Sequence, residues 1–317
     1  MTTQSPVAPP DGAGFAAPQV FPNGPLTDAD VTTIKTVAQQ AEALGYDSIW
    51  TQEQIVGQSR SLEPVSLLSY LAAVTTHVRL GTSVIVLPLR NPVQLAKSLA
   101  TADVLSGGRL TVGVGLGGQS PYLPAFGIPE GRRVRRFTEA LRVMYALWEQ
   151  SEAHLDGEFF RLEGTPMEPK PVQKPRPPVW FGARSEPALR RALRYGDGWM
   201  GPGSTSLSEF KSAVADLKRL MEEAGRSPSD FQISKRVYVA IDDDEGRAAR
   251  RLEDWFEHHY GNRDMARRVS VFGPARQCHE QIEEIVDAGA RRLLFNPVFD
   301  YDEHLHALAT YTGGRQV

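Results

Sequence analysis

The sequence predicts an α/β protein of the (β/α)8, or TIM-barrel, class. Three observations predict it. A helix that ends in glycine and runs into a short apolar strand recurs along the chain: Ala38–Leu44 with Gly45, Ala100–Leu105 with Gly107-Gly108, Leu189–Tyr195 with Gly196, and Ile282–Ala288 with Gly289. Glycine takes the left-handed conformation that closes a helix and turns the chain. Repeated helix–glycine–strand units mean parallel strands joined by crossover helices. Eight short apolar segments lie near residues 13–18, 47–51, 79–87, 109–115, 178–183, 198–202, 232–241 and 291–296. Strands buried on both faces read as such runs. The 317 residues suit one barrel of roughly 250 residues with additions as well as two domains of roughly 150. A doubly wound open sheet is the alternative, because a sequence does not display the closure of a sheet.

The elements follow in order. Residues 1–11 are rich in proline and small polar residues and lack the basic and apolar regions of a signal peptide. They read as a disordered tail before a barrel domain at 12–312. Val31, Ile34, Val37, Ala38 and Ala41 share one helical face, as do Phe137, Ala140, Leu141, Met144, Leu147 and Trp148. Asn91-Pro92 is an N-cap with proline at the first helical position, opening Val93–Leu105. Ser206 and Glu209 form a capping box before the helix Leu207–Ala224. Two segments exceed the minimal unit. Residues 151–178 hold a run of prolines and read as an irregular excursion. Residues 243–272 are charged and helical, an insertion after the seventh strand where active-site lids occur.

Composition narrows the function. Apolar residues make up 41% and charged residues 23%, enough for one large core and unlike a disordered chain. Lys plus Arg is 35 and Asp plus Glu 38, a net charge of −3, which argues against nucleic-acid or membrane-surface binding by the whole chain. Arg132-Arg133-Val134-Arg135-Arg136 reads as a solvated helix face. The apolar stretches fall short of the roughly 18 residues of a membrane span. The single cysteine, Cys278, excludes an intramolecular disulfide and fits a reducing cytoplasm. Its helical spacing with Ile282, Ile285 and Val286 makes it a core thiol. The seven histidines form no His-Glu-x-x-His motif, and Gly-x-Ser-x-Gly is absent, so a catalytic metal and an elbow serine are not expected.

In barrels the site lies at the C-terminal ends of the strands. Strand two is followed by Gln52, Glu53 and Gln54, polar groups able to bind a ring or carry a proton. Strand three carries the small residues Gly81, Thr82 and Ser83, then Val84, which admit a flat ligand or mark a tight corner. Strand four ends in Gly113-Val114-Gly115-Leu116-Gly117-Gly118, a poor dinucleotide fingerprint that reads as close backbone approach to a ligand or as barrel geometry. Strand five leads through Gly182, Ala183 and Arg184 to Ser185 and a helix, where free amides and a guanidinium suit a phosphate. Glu53 is a candidate acid without an evident second carboxylate, so glycosidase chemistry is not expected. Strand ends that offer amides rather than reactive side chains suit a cofactor that carries the chemistry.

Four stretches carry a resemblance: Ala41–Trp50; Val78–Val84 continuing through Leu87–Pro92; Leu99–Leu110 with Gly113-Val114-Gly115; and Pro178–Ala183 with Arg190-Arg191-Ala192 and Gly196–Trp199. Together they resemble the bacterial luciferase-like flavin and deazaflavin oxidoreductases, over about residues 12–298. The resemblance implies a TIM barrel that binds coenzyme F420 or FMN, with the ring in the barrel mouth. It implies a cis peptide at Ser83–Val84 behind the ring and a phosphate at Gly182, Ala183 and Arg184. Gln52, Gln54, Thr82, Ser83, Val84 and Gly115 are the further expected cofactor neighbours, and Glu53 and Tyr122 the candidate acid or hydrogen-bonding groups. Two features depart from the family. Glu53-Gln54 stands where many F420 members have Asp-His, and Leu116-Gly117-Gly118 stands where the sugar-phosphate dehydrogenase branch has a glutamate.

The resemblance thus implies an F420-dependent oxidoreductase passing hydride between the deazaflavin and a small organic substrate. The alternatives are an FMN-dependent monooxygenase supplied by a separate flavin reductase, and a non-catalytic cofactor-binding protein. A homodimer is implied by the family alone.

Overall fold

The computed structural model describes residues 10–21, 27–57, 60–118, 122–128 and 131–312. Residues 1–9 of the expected tail lie outside them. Eight principal strands appear: β1 (Gly12–Ala16), β2 (Ser48–Thr51), β3 (Arg79–Thr82), β4 (Leu110–Gly115), β5 (Val179–Gly182), β6 (Gly198–Gly201), β7 (Gln232–Ile241) and β8 (Arg292–Pro297). Among the described residues, ten α-helices are interspersed with them: α1 (Asp28–Ala43), α2 (Pro64–Val74), α3 (Pro92–Leu105), α4 (Arg133–Glu149), α5 (Glu186–Tyr195), α6 (Leu207–Ala224), α7 (Glu245–Tyr260), α8 (Met265–Val269), α9 (Ala275–Asp287) and α10 (Tyr301–Ala307). Parallel strands alternating with helices are the (β/α)8 arrangement that the sequence predicts.

Two compact units divide the chain. One comprises, among the described residues, 10–18, 27–50 and 183–312. Its parallel strands run in the order β6-β7-β8-β1-β2, with Phe15 opposite both Phe295 and Ile49. The other comprises residues 19–22 and 51–182, and in it β3 and β5 pair in parallel with β4.

Local sequence explains the elements. Thr27 caps α1 in a capping box with Asp30, and Asn91 Oδ1 accepts from the amides of Val93 and Gln94 at the start of α3. The Ser206–Glu209 capping box opens α6, and Gly225, at φ 62°, closes it. Phe137, Ala140, Leu141, Met144, Leu147 and Trp148 of α4 are all buried, and Trp148 Nε1 donates to Ala96 O at 2.9 Å. Each fully buried large apolar side chain contributes about 1.5–3 kcal/mol. Cys278 is a buried thiol among the apolar residues of α9, as its spacing predicts.

Four expectations need correction. Val31 is 44% exposed, so the buried face of α1 begins at Ile34. Gly196 is extended, at φ −111° and ψ 167°, because the chain passes from α5 straight into β6 without a left-handed turn. The third strand is interrupted: β3 stops at Thr82 and pairing resumes at Ile85–Val86. The 151–178 excursion is partly regular, since residues 153–156 and 161–165 form an antiparallel hairpin. That hairpin hangs on Glu139, whose carboxylate accepts the amides of Glu158, Phe159 and Phe160. The 243–272 insertion is helical as expected. Ala248, Leu252, Phe256, Ala266 and Val269 bury a small core with Tyr238 of β7.

Candidate active site

The interruption of β3 organises the strand ends of the second unit. The Ser83–Val84 peptide is cis, where the resemblance places it. The Ser83 amide donates to Thr51 O at 2.6 Å. Thr82 is fully buried; its Oγ1 donates to Gly113 O at 2.7 Å and accepts from Gly113 N at 2.9 Å. Its hydroxyl is therefore engaged in holding β3 to β4.

Val84 lies over the glycines of β4 and β5. A Cβ at Gly115 would stand 2.7 Å from Val84 Cγ2, and one at Gly182 3.3 Å from Val84 Cγ1. A Cβ at Gly113 would stand 1.8 Å from the Thr82 carbonyl oxygen. Gly117, at φ +71°, makes the same kind of room for Val86. Of the readings open for the glycine-rich end of strand four, the structure supports chain geometry: the glycines admit the bulge at residues 82–86.

Beside this bulge stands a buried ion cluster. The Glu53 side chain is 1% exposed. Its Oε2 accepts from Arg90 Nη2 at 3.0 Å and from Nε at 3.2 Å. The same Nη2 reaches Glu63 Oε1 at 2.7 Å, while Glu63 Oε2 caps α2 by accepting from the Ser66 amide. Burial raises the Glu53 carboxyl above its ordinary range and outweighs the Arg90 charge. For Glu63, burial is outweighed by the Ser66 hydrogen bonds and Arg90, and its carboxyl falls below the usual range. Glu53 Oε1 and Gln54 Oε1 are buried without a hydrogen-bond partner. Gln52 is held through its backbone, whose amide donates to Gln19 Oε1 and whose carbonyl accepts from Gln19 Nε2.

In the first unit, Ala183 and Arg184 lead from β5 into α5. Ala183 O accepts from Trp199 Nε1 at 2.9 Å, and Arg184 donates to Ser204 Oγ. Ser185 is extended at the N-cap, but its side chain makes no capping bond. Lys235 of β7 is 2% exposed. Its Nζ donates to Pro202 O, Thr205 O and Thr205 Oγ1 at 2.5, 3.0 and 2.9 Å. Burial, then the Arg236 and Arg184 charges, lower its pKa to about 7 against the opposing Glu209. Arg236 Nε donates to Asn296 Oδ1 at 3.0 Å and its Nη2 to the Tyr238 hydroxyl at 2.5 Å.

Tyr122 is 44% exposed at the start of the short turn Leu123–Phe126. Sequence reasoning missed Arg90, Glu63, Lys235, Arg236, Tyr238 and Asn296. Arg90 and Glu63 carried a signal: each stands just before the capped, proline-led start of a helix. The polar residues of β7 break an apolar strand and were legible in the same way. Among the described residues there is no group of three or more His, Cys, Asp or Glu placed to hold a metal. Among them, no helix is long and apolar enough to cross a membrane.

Comparison with known proteins adds to this geometry. The family model for luciferase-like monooxygenases matches residues 13–311. An uncharacterized protein of Mycobacterium tuberculosis is 44% identical over 160 residues, 50% of this chain; the match spans only 56% of that protein's own length. An F420-dependent glucose-6-phosphate dehydrogenase of Kineococcus radiotolerans is 29% identical over 253 residues, 76% of this chain and 71% of its own. The oxygenase component of a flavin-dependent trigonelline monooxygenase of Acinetobacter baylyi is 27% identical over 241 residues, 71% of this chain and 64% of its own. Two solved structures share the fold. The monooxygenase RslO1 from Streptomyces bottropensis has a TM-score of 0.80 at 22% identity, covering 96% of this chain and 98% of its own. An F420-dependent secondary alcohol dehydrogenase with an F420-acetone adduct has a TM-score of 0.82 at 20% identity, covering 95% and 97%.

Proposed function

Because the chain belongs to the luciferase-like monooxygenase family, we propose that it is an F420-dependent oxidoreductase acting on a small organic carbonyl or alcohol. The observation that carries the reading is the pair of partnerless buried acceptors, Glu53 Oε1 and Gln54 Oε1, beside the bulge at Ser83–Val84. A buried acceptor without a donor is costly. A deazaflavin ring offers a ring N–H of the kind these oxygens lack. The same donor exists in FMN, so the preference for F420 rests on the resemblance of the four sequence stretches.

In this reading the chemistry a bound deazaflavin would supply is hydride transfer. The protein's own residues do the rest. Arg90 holds Glu53 Oε2 and leaves Oε1 as the acceptor for the ring N–H. Burial keeps that carboxyl protonatable above the ordinary glutamate range. Thr82 fixes the bulge from behind. Gly182, Ala183 and Arg184, at the entry to α5, would hold the phosphate of the cofactor tail.

Titration of the purified protein with F420 and with FMN tests the proposal. Tight F420 binding with deazaflavin-dependent turnover of ketones or secondary alcohols is expected. Tight FMN binding with no F420 binding would overturn it. That outcome would favour a monooxygenase fed by a separate reductase, the reading supported by the Acinetobacter relative.

A further inference from the structure

The end of β7 and the helix α7 hold a second polar arrangement that the proposed chemistry leaves unused. Arg236 Nη2 donates to the Tyr238 hydroxyl at 2.5 Å, and that hydroxyl lies 2.5 Å from the hydroxyl of Tyr260. The direction of this chain follows from its donors. Guanidinium only donates, so Tyr238 Oη accepts from Arg236. Tyr238 is fully buried, and burial holds its phenol well above the usual range, so it keeps its proton. A buried hydroxyl must also give its proton to an acceptor, and Tyr260 Oη is the one in reach. Tyr260 therefore receives a hydrogen bond from the protein and has its own proton to donate outward. It is 41% exposed.

Aromatic rings surround that hydroxyl. Trp255 and His259 are stacked at 4.5 Å, and the His259 ring meets Tyr260 edge-on at 4.6 Å. Burial, then the Arg236 and His258 charges, lower the His259 pKa to about 4, so the imidazole is neutral. Its Nδ1 is buried without a partner. The cluster thus offers an exposed, oriented hydroxyl beside an aromatic wall, all within one unit.

We propose that the Arg236–Tyr238–Tyr260 chain is an oxyanion-binding site, in which Tyr260 donates to the oxygen of a planar carbonyl or enolate ligand lying against Trp255 and His259. Hydrogen bonds in such a chain strengthen one another, and the cation at its buried end makes the terminal phenol a better donor to developing negative charge. The inference goes beyond the proposed function: it assigns a further ligand site within one unit and does not rest on that reading.

The test is calorimetric titration of the full chain, without cofactor, using 4-nitrophenolate as an oxyanion probe and 4-nitroanisole as its uncharged counterpart. The wild type should bind 4-nitrophenolate roughly tenfold or more tightly than Y260F, as expected for a hydrogen bond to a charged acceptor. Y238F should weaken it as well, because the chain loses its direction. Binding of 4-nitroanisole should stay near wild type in both variants and the melting temperature near wild type in Y260F, which separates lost recognition from lost folding. Equal affinity of wild type and Y260F for 4-nitrophenolate would overturn the proposal. So would a loss confined to R236M, which would make Arg236 itself the contact. Because the assay contains no deazaflavin, failure of F420 to bind would sink the proposed function and leave this result standing.

Discussion

Arg90 Nη2 lies 3.0 Å from Glu53 Oε2, and this ion pair is the main support of a carboxylate whose side chain is 1% exposed. The same nitrogen is shared with Glu63 at 2.7 Å, so one guanidinium serves a buried acid and a half-buried helix cap. Removing Arg90 therefore leaves two carboxylates without a cation. R90M should raise the Glu53 carboxyl further and cost about 1–3 kcal/mol, below the value for a fully buried pair because Arg90 keeps partial exposure. Urea unfolding at neutral pH measures the loss, and R90K should restore part of it.

The raised Glu53 carboxyl predicts a pH slope. A carboxyl whose folded value lies above its unfolded one favours the fold most when protonated, below the unfolded value of 4.5. That contribution is lost as pH rises through the folded value. Melting temperature should therefore carry a falling component above pH 4.5 that is absent in E53Q. An identical pH profile in E53Q would count against a shifted Glu53.

Lys235 predicts the opposite slope. Its pKa is lowered from 10.5 to about 7, so the unfolded chain binds more protons between those values. The contribution of this group to stability should rise with pH across that window. K235M should abolish the rise and, having lost all three bonds to Pro202 and Thr205, loosen the chain before α6. Hydrogen exchange of the 203–206 amides reads the second effect.

The glycines of β4 and of the segment just after it should rank by what a Cβ would meet. G113A places a methyl group 1.8 Å from a backbone oxygen and should prevent folding. G115A meets only the tip of Val84, at 2.7 Å, and should cost about 1–3 kcal/mol by overpacking. G118A meets nothing within 4 Å and should be close to neutral. Thermal melts of the three variants test the order.

Thr82 should tolerate serine but not valine. T82V keeps the shape and removes the hydroxyl that serves both the amide and the carbonyl of Gly113, at a cost of about 1–3 kcal/mol. T82S retains both bonds. Equal stability of the two variants would show that the hydroxyl does not hold β3 to β4.

The sequence by itself determined the alternation of helix and strand. Period, caps and apolar runs are local, so all eight strand segments, the caps at Asn91 and Ser206 and the buried Cys278 were legible without a structure. So was the passage from Gly182, at the end of β5, through Ala183 and Arg184 to α5. Where the reading failed, local rules met a tertiary demand. Gly196 is extended because β6 follows at once, and residues 153–165 form a hairpin because Glu139, on the preceding helix, takes up its amides. Only the tertiary structure could bring the candidate residues together. Glu53, Glu63 and Arg90 are distant in sequence and meet only when β2, α2 and the approach to α3 converge. Tyr238 and Tyr260 meet because α7 folds back over β7. A charge pair or hydrogen-bond chain depends on distance through space, and hydrophobic periodicity assigns a residue to a face without naming its neighbour there.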